Sequence, residues 1–331
     1  IAAGNTMTLK PSEYTPHTSK LLCVMAEELF EDNVLSVVEG DYKVSGRLLE
    51  LPFDHIFFTG SPKVGKIVMA AAAKNLTSVT LELGGKSPAI VDETAQVADA
   101  ASKIAWGKWL NAGQTCVAPD YVLCHESKMD EFVKSLKAST TKLYGNQEKF
   151  TGIVSDQHLS RLTKAINTDL NNGAELLFGN EVTEGKLHPT ALGNLPQGSL
   201  FLEEEVFGPV MPIISYQSFD EVIKLINDRP KPLAMYHFSK SSQAMKKVKQ
   251  RVSSGTMCFN DCVIQFVHPS LPIGGVNNSG IGKAHGYAGF VAFSNEKAVV
   301  KQRRGLTMAK TLYPPFGAFK KLTLELMLKY F

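Results

Sequence analysis

The stretch "HIFFTGSPKVGKIVMAAAAKN" (55–75) changes its period halfway along. Its first half, "HIFF", is a short apolar run suited to a buried strand. Gly60 breaks the run, Ser61 is a helix cap, and Pro62 stands at the first helical position, where its missing N–H costs nothing. "SVTLELGG" (78–85) follows as another strand. Upstream, "TMTLK" (6–10) alternates polar and apolar residues. Thr15 and Pro16 then open a helix whose Leu21, Leu22, Met25 and Leu29 recur at helical spacing. "NVLSVVEG" reads as a second strand and 41–51 as a short helix. Strands alternating with helices across such short connections require a parallel sheet with crossover helices. Residues 1–83 therefore read as most of a doubly wound, Rossmann-type α/β domain.

After Gly84 and Gly85 a helix is expected over 95–110, then a loop, then alternating elements to about residue 290, enough for a second α/β domain. Residues 291–331 contain a β-like run and a basic tail and suit an arm. No internal repeat, low-complexity tract or Ser/Gly linker separates these parts.

Composition narrows the function. The chain has 331 residues, 44% hydrophobic and 20% charged, so it can bury substantial cores and is not a disordered chain. A formal charge of +3 is spread without a basic stripe, which argues against nucleic acid as the main partner. The longest apolar run, "IVMAAAA" (67–73), falls far short of the ~18 residues of a membrane-spanning helix. The cysteines, Cys23, Cys116, Cys124, Cys258 and Cys262, are odd in number and lack CxxC pairs. A disulfide framework or a metal site is thereby disfavoured, and a reducing, cytoplasmic setting fits. The opening "IAAGN" lacks a methionine and a signal-peptide pattern, so the sequence is expected to begin inside a domain.

Four places carry chemistry. In "WLNAGQTCVAPDY" (109–121), Cys116 sits between Gly113 and Pro119 amid polar side chains and backbone amides that favour a thiolate. The alternative is a small buried hydrophobe, the reading given to the other four cysteines. In "TLELGGK", Val79, Leu81 and Leu83 share one face, which leaves Thr80 and Glu82 on the other. Glu82 is then either a ligand-facing carboxylate at a strand's carboxyl end or a solvated edge residue. In "FFTGSPKVGK", Gly60 and Ser61 precede a helix whose free amides suit a diphosphate, although a plain strand-turn-helix explains the pattern nearly as well. In "LKPSE", Lys10 and Glu13 flank a turn where a carboxylate can bind ribose hydroxyls, or they form an exposed charged turn.

Taken in order, "GNTMTLKPSE", "FFTGSPKVGK", "LELGGKSP", "GQTC", "EEEVFGPV" and "PIGGVNNSGIGKAHG" resemble the aldehyde dehydrogenase superfamily over nearly the whole chain. "GKW", "CVAPDY", "RPKPLAMYHFS" and "TLYPPFG" look most like its class 3 branch, which includes fatty aldehyde dehydrogenases. The resemblance implies that Cys116 is the nucleophile and Glu82 the general base that hydrolyses a thioester, giving a carboxylic acid. It implies that Lys10 and Glu13 hold the adenosine ribose, Gly60 and Ser61 the diphosphate, and Glu205 and Phe207 the nicotinamide ribose and ring. NAD is favoured because Glu13 would repel a 2′-phosphate, while Lys10 admits NADP.

The resemblance further implies a homodimer and an aliphatic medium- or long-chain, or aromatic, aldehyde as substrate. It places an asparagine that donates to the oxyanion ahead of "GNTMTLKPSE", outside this sequence, so this stretch alone is expected to be weakly active or inactive. Asn277, Asn278, Cys258 and Cys262 depart from the class pattern where the branch shapes substrate access. Two other readings share the fold: transfer of the acyl group to coenzyme A, and a non-catalytic protein. The tail "FKKLTLELMLKYF" sets two lysines before an apolar run and could lie on a membrane surface.

Overall fold

Strand β4, the second strand read around Gly60, runs through only four residues into the central sheet, and this junction organises the molecule. The computed structural model describes residues 1–145, 150–305, 307, 309–310 and 313–330. The elements are β1 (Met7–Leu9), α1 (Pro16–Leu29), β2 (Leu35–Val37), α2 (Tyr42–Leu48), β3 (His55–Gly60), α3 (Pro62–Ala72), β4 (Ser78–Leu83), β5 (Pro88–Val91), α4 (Val97–Trp109), β6 (Tyr121–His125), α5 (Met129–Tyr144) and α6 (Asp156–Asn171). They continue with β7 (Glu175–Phe178), β8 (Val182–Thr183), β9 (Lys186–Leu187), β10 (Thr190–Gly193), α7 (Leu200–Glu203), β11 (Val210–Tyr216), α8 (Phe219–Asn227), β12 (Ala234–Phe238), α9 (Ser242–Arg251), β13 (Thr256–Phe259), β14 (Gly280–Ile281), α10 (Gly286–Ala292) and α11 (Ala318–Tyr330).

The amino-terminal elements fall where the sequence periods put them. β1 pairs with β2 in parallel, and β3 pairs with β4 in parallel from His55–Ser78 to Gly60–Leu83. Ser61 caps α3 by accepting from the Val64 amide at 3.4 Å. Thr15 does not cap α1: its hydroxyl donates to Ser12 O at 3.3 Å, because the turn set by Pro11 folds back on itself. Leu81 and Leu83 are buried under Val68 of α3, with Val79 packed alongside them. Thr80 and Glu82 accordingly point to the other face.

The main sheet has the order β13-β12-β5-β6-β11-β10-β7, parallel except for β7 against β10. β5 and β12 are buried along their whole length, the pattern of strands covered on both faces. Their side chains divide by period two. Ala89, Val91, Val122, Ala234 and Tyr236 join the core that includes Ile104, Trp109, Phe132 and Leu136 of α4 and α5. Ile90, Leu123 and Met235 join the core made with Val222, Ile226 and Val248 of α8 and α9. β14 returns to the smaller sheet, antiparallel to β4, with Gly280 opposite Glu82.

Residues Asn295–Phe331 form a separate compact unit. The β-like run expected in this part is not a strand: Ala318–Tyr330 is helical, and the described residues of the unit contain no strand. Its Leu, Met, Glu and Lys residues are good helix formers, and Phe319, Leu322 and Leu326 recur at helical spacing despite the local alternation. Thr311 and Leu312 of "TLYPPFG" lie outside the described residues. No helix of the described residues is long and apolar enough to cross a membrane.

Candidate active site

The loop carrying Cys116 is built from residues in an uncommon backbone region. After α4, Asn111 (φ 52°), Ala112 (φ 53°) and Gly113 (φ 72°) are left-handed in succession. Such a run is costly for side-chain-bearing residues and persists only where neighbours over-determine it. Gln114 supplies that restraint. Its Nε2 donates to Asn111 O and Gly152 O, each at 3.1 Å, and its Oε1 accepts from the Val154 amide at 2.8 Å. Tyr236 Oη donates to Val117 O from β12. Gly113 is required as glycine, since a β-carbon there would lie 2.3 Å from Gly208 O. The Cys116 loop and the "EVFGP" loop therefore touch through backbone.

All the elements that meet here enter from one side. Cys116 precedes β6, Glu205 precedes β11, and Lys86 precedes β5, so these residues lie at the amino edge of the parallel strands β5, β6 and β11 of the main sheet. Glu82 reaches it from the carboxyl end of β4 through Gly84 and Gly85. Only the small sheet therefore presents a strand's carboxyl end to this cluster of residues.

Glu82 is nearly buried, and its Oε1 has no hydrogen-bond partner. Burial raises its carboxyl above the usual range, while Lys283 pulls it down. Glu205 is pushed up to about 8, first by burial and then by Asp120; the Gly85 amide, Lys86 and Lys108 oppose the shift. Cys116 is half-buried, and its thiol is pushed up to about 11 by burial, then by the charges of Glu205 and Glu82. The amides of Cys116 and Val117 pull the thiol down, as their position in the sequence suggests, but they do not prevail. At neutral pH the thiol is therefore mostly protonated. These couplings bring Cys116, Glu82 and Glu205 together.

The remaining residues singled out in the sequence lie on other elements. Lys10 Nζ donates to Glu13 Oε2 at 2.8 Å just past β1, and this bond holds the Glu13 carboxyl below its ordinary value. Gly60 and Ser61 lie at the start of α3, with Ser61 exposed. Phe207 is left-handed (φ 46°) and partly exposed, and its carbonyl accepts from His158 Nε2 at 2.7 Å.

A buried charge network that sequence reasoning did not single out holds the Glu205 loop. Lys86 Nζ pairs with Asp120 and donates to Phe201 O at 2.8 Å and Glu204 O at 2.9 Å. Asp120 Oδ1 accepts from the Val206 amide at 2.8 Å, and Arg161 Nη2 donates to Val206 O at 2.6 Å. Lys108, fully buried on α4, is brought down to about 8 by burial, against the pull of Asp120 and Glu205. The available signal was a charge in an apolar setting, as in "AWGKWL" and "APDY".

The family model described as "Aldehyde dehydrogenase family" matches residues 1–299. The chain belongs to the aldehyde dehydrogenase family. This makes it an NAD(P)-dependent enzyme that oxidises aldehydes. It is 43% identical over 326 residues to 4,4'-diaponeurosporen-aldehyde dehydrogenase of Staphylococcus aureus, covering 97% of this chain and 70% of that protein. It is 43% identical over 325 residues to the mouse "Aldehyde dehydrogenase, dimeric NADP-preferring", covering 96% and 71% respectively. Class 3 kinship is explicit in the mouse family 3 members A2 and B1, each 41% identical. Among solved structures, the substrate-bound state of Staphylococcus aureus AldH superposes with a TM-score of 0.92 at 41% identity, over 98% of this dehydrogenase and 72% of that chain.

Proposed function

We propose that this dehydrogenase oxidises medium- or long-chain aliphatic, or aromatic, aldehydes to carboxylic acids, with Cys116 as nucleophile and Glu82 as general base. The observation that carries this reading is the convergence of Cys116, Glu82 and Glu205 at the amino edge of the main sheet, where the thiol feels both carboxylates. The Cys116 thiol gives its proton to solvent, its sulfur adds to the aldehyde carbonyl carbon, and the carbonyl oxygen takes the negative charge of a thiohemiacetal anion. NAD(P), with its nicotinamide end held by Glu205 and Phe207, would supply the hydride acceptor for that carbon. The Cys116 thioester that remains is cleaved by water: Glu82 takes the water proton, the hydroxyl oxygen bonds to the acyl carbon, and the sulfur leaves. A base with a raised carboxyl and an unpartnered oxygen suits the proton transfer from water.

The donor set fits a dinucleotide. The exposed amino end of the 11-residue α3, with Gly60 and Ser61, offers amides to a diphosphate. Glu13, an acceptor below its ordinary pKa, suits the ribose hydroxyls, with Lys10 beside it. Glu205 and Phe207 would hold the nicotinamide end. Glu13 favours NAD, and Lys10 leaves NADP acceptable; the mouse relative's name, NADP-preferring, supports the second cofactor.

In this reading residues 1–83 are the cofactor-binding part, 84–290 the catalytic part and 291–331 an arm. The same relative's "dimeric" supports a homodimer. The Staphylococcus relative, named for 4,4'-diaponeurosporen-aldehyde, supports an extended apolar substrate. The setting is cytoplasmic. A peripheral membrane contact would use α11, where Phe319, Leu322 and Leu326 are exposed at helical spacing. Flotation with vesicles, with and without residues 319–331, tests the contact.

The test of the reaction is aldehyde-dependent NAD reduction across a chain-length series, with Cys116→Ser beside the parent. Turnover that rises with chain length and is lost in Cys116→Ser supports the reading. Unchanged turnover in Cys116→Ser contradicts it.

A further inference from the structure

Lys283 follows β14, and its ammonium is held between two backbone carbonyls. Nζ donates to Gly274 O at 2.5 Å and to Gly275 O at 3.3 Å. The segment is fastened on both sides: Ile273 and Ala284 exchange hydrogen bonds, and the Leu83 amide donates to Ser279 O at 3.1 Å. A β-carbon placed on Gly274 would lie 3.0 Å from Lys283 Cδ and 3.2 Å from Glu82 Oε1. The two side chains therefore flank one point, which brings the lysine stem to within about 6 Å of the carboxylate, and the Lys283 charge favours the ionised form of Glu82. Glu82 Oε1 is itself buried and unpartnered.

We propose that Lys283 is a positioning residue for the general base: its ammonium, fixed by the Gly274 and Gly275 carbonyls, is the counter-charge that holds the Glu82 carboxylate in place while leaving Oε1 free for water. The inference rests on the reading of Glu82 as that base. Burial raises Glu82 and lowers Lys283, so each is driven towards its neutral form, and their mutual attraction opposes both shifts. The other titratable groups around Glu82 are Cys116 on its loop and Glu205, which reaches Gly84. On β3, His55 is bonded to Ser78 and Thr80, and burial lowers its pKa. Among the described residues, Lys283 is the cation whose charge bears on Glu82.

The test measures deacylation of Cys116 against pH, using a nitrophenyl ester to form the acyl-enzyme, in the parent, Lys283→Met and Lys283→Arg. Loss of the charge in Lys283→Met should move the acid limb to higher pH. Deacylation should then be about tenfold slower at a fixed pH below that limb, with acylation little changed. Lys283→Arg keeps the charge and should restore the limb. An unmoved limb in Lys283→Met, a uniform loss at every pH, or a Lys283→Arg profile like that of Lys283→Met overturns the proposal. Glu82→Gln in parallel separates the two failures: release of nitrophenol followed by arrested deacylation keeps Glu82 as the base whatever Lys283 does. Normal deacylation in Glu82→Gln removes both assignments.

Discussion

Glu205 occupies the space that a side chain on Gly84 would need. A β-carbon on Gly84 would fall 1.8 Å from Glu205 Oε2. The Gly85 amide also pulls that carboxyl down, so the double glycine that follows β4 makes room for Glu205 as well as turning the chain. Gly84→Ala should force Glu205 aside. Overpacking of this kind costs about 1–3 kcal/mol, so the variant should still fold. Its turnover should fall as far as that of Glu205→Ala, which paired thermal unfolding and steady-state rates would show.

Glu205 also burdens the Cys116 thiol. Its charge is the largest cause after burial of the Cys116 thiol being pushed up to about 11. Alkylation of Cys116 in the protein alone should therefore accelerate with pH well past neutrality, because the thiolate is the reacting form. Glu205→Gln removes the charge, lowers the thiol and should speed alkylation at fixed alkaline pH. Iodoacetamide labelling rates across a pH series would check the sign.

Asp120 anchors the Glu205 loop from a buried position. It pairs with Lys86 and accepts from the Val206 amide. Asp120→Ala would strand the Lys86 charge, and breaking a buried pair from one side costs roughly 3–5 kcal/mol. Urea unfolding should show that loss, and a variant as stable as the parent would contradict it.

Asp92 and His237 form a buried pair on the far side of the sheet, with Nε2 and Oδ2 3.0 Å apart. Burial pushes Asp92 up, but hydrogen bonds from His237, Ser239 and Thr94 outweigh it and hold the carboxyl below its ordinary value. A depressed acid stabilises the fold above its unfolded pKa, roughly 4, and loses that contribution as pH falls through the folded value. Unfolding free energy in Asp92→Asn should therefore decline less below about pH 4 than in the parent.

Legibility in the sequence followed the range of the interactions. The alternation around Val79, Leu81 and Leu83 and the capped start at Ser61 and Pro62 depend on neighbours a few residues away, and they are readable. The cap assigned to Thr15 failed because its hydroxyl found a closer acceptor in Ser12 O. The tail was ambiguous because its leucines satisfy strand and helix periods at once. Lys86, Asp120, Arg161 and Lys283 escaped notice because each acts on a residue distant in sequence. The net sign of the Cys116 shift was also hidden, since it depends on how deeply the thiol is buried and on two carboxylates from other elements.

The most direct test of the account is to trap the acyl group. Glu82→Gln, mixed with NAD and an aliphatic aldehyde, should reduce about one equivalent of NAD and then stop, because the base that hydrolyses the thioester is gone. Peptide mapping by mass should find the acyl group on Cys116. Continued turnover by Glu82→Gln, or an acyl group on another residue, would contradict the assignment of nucleophile and base.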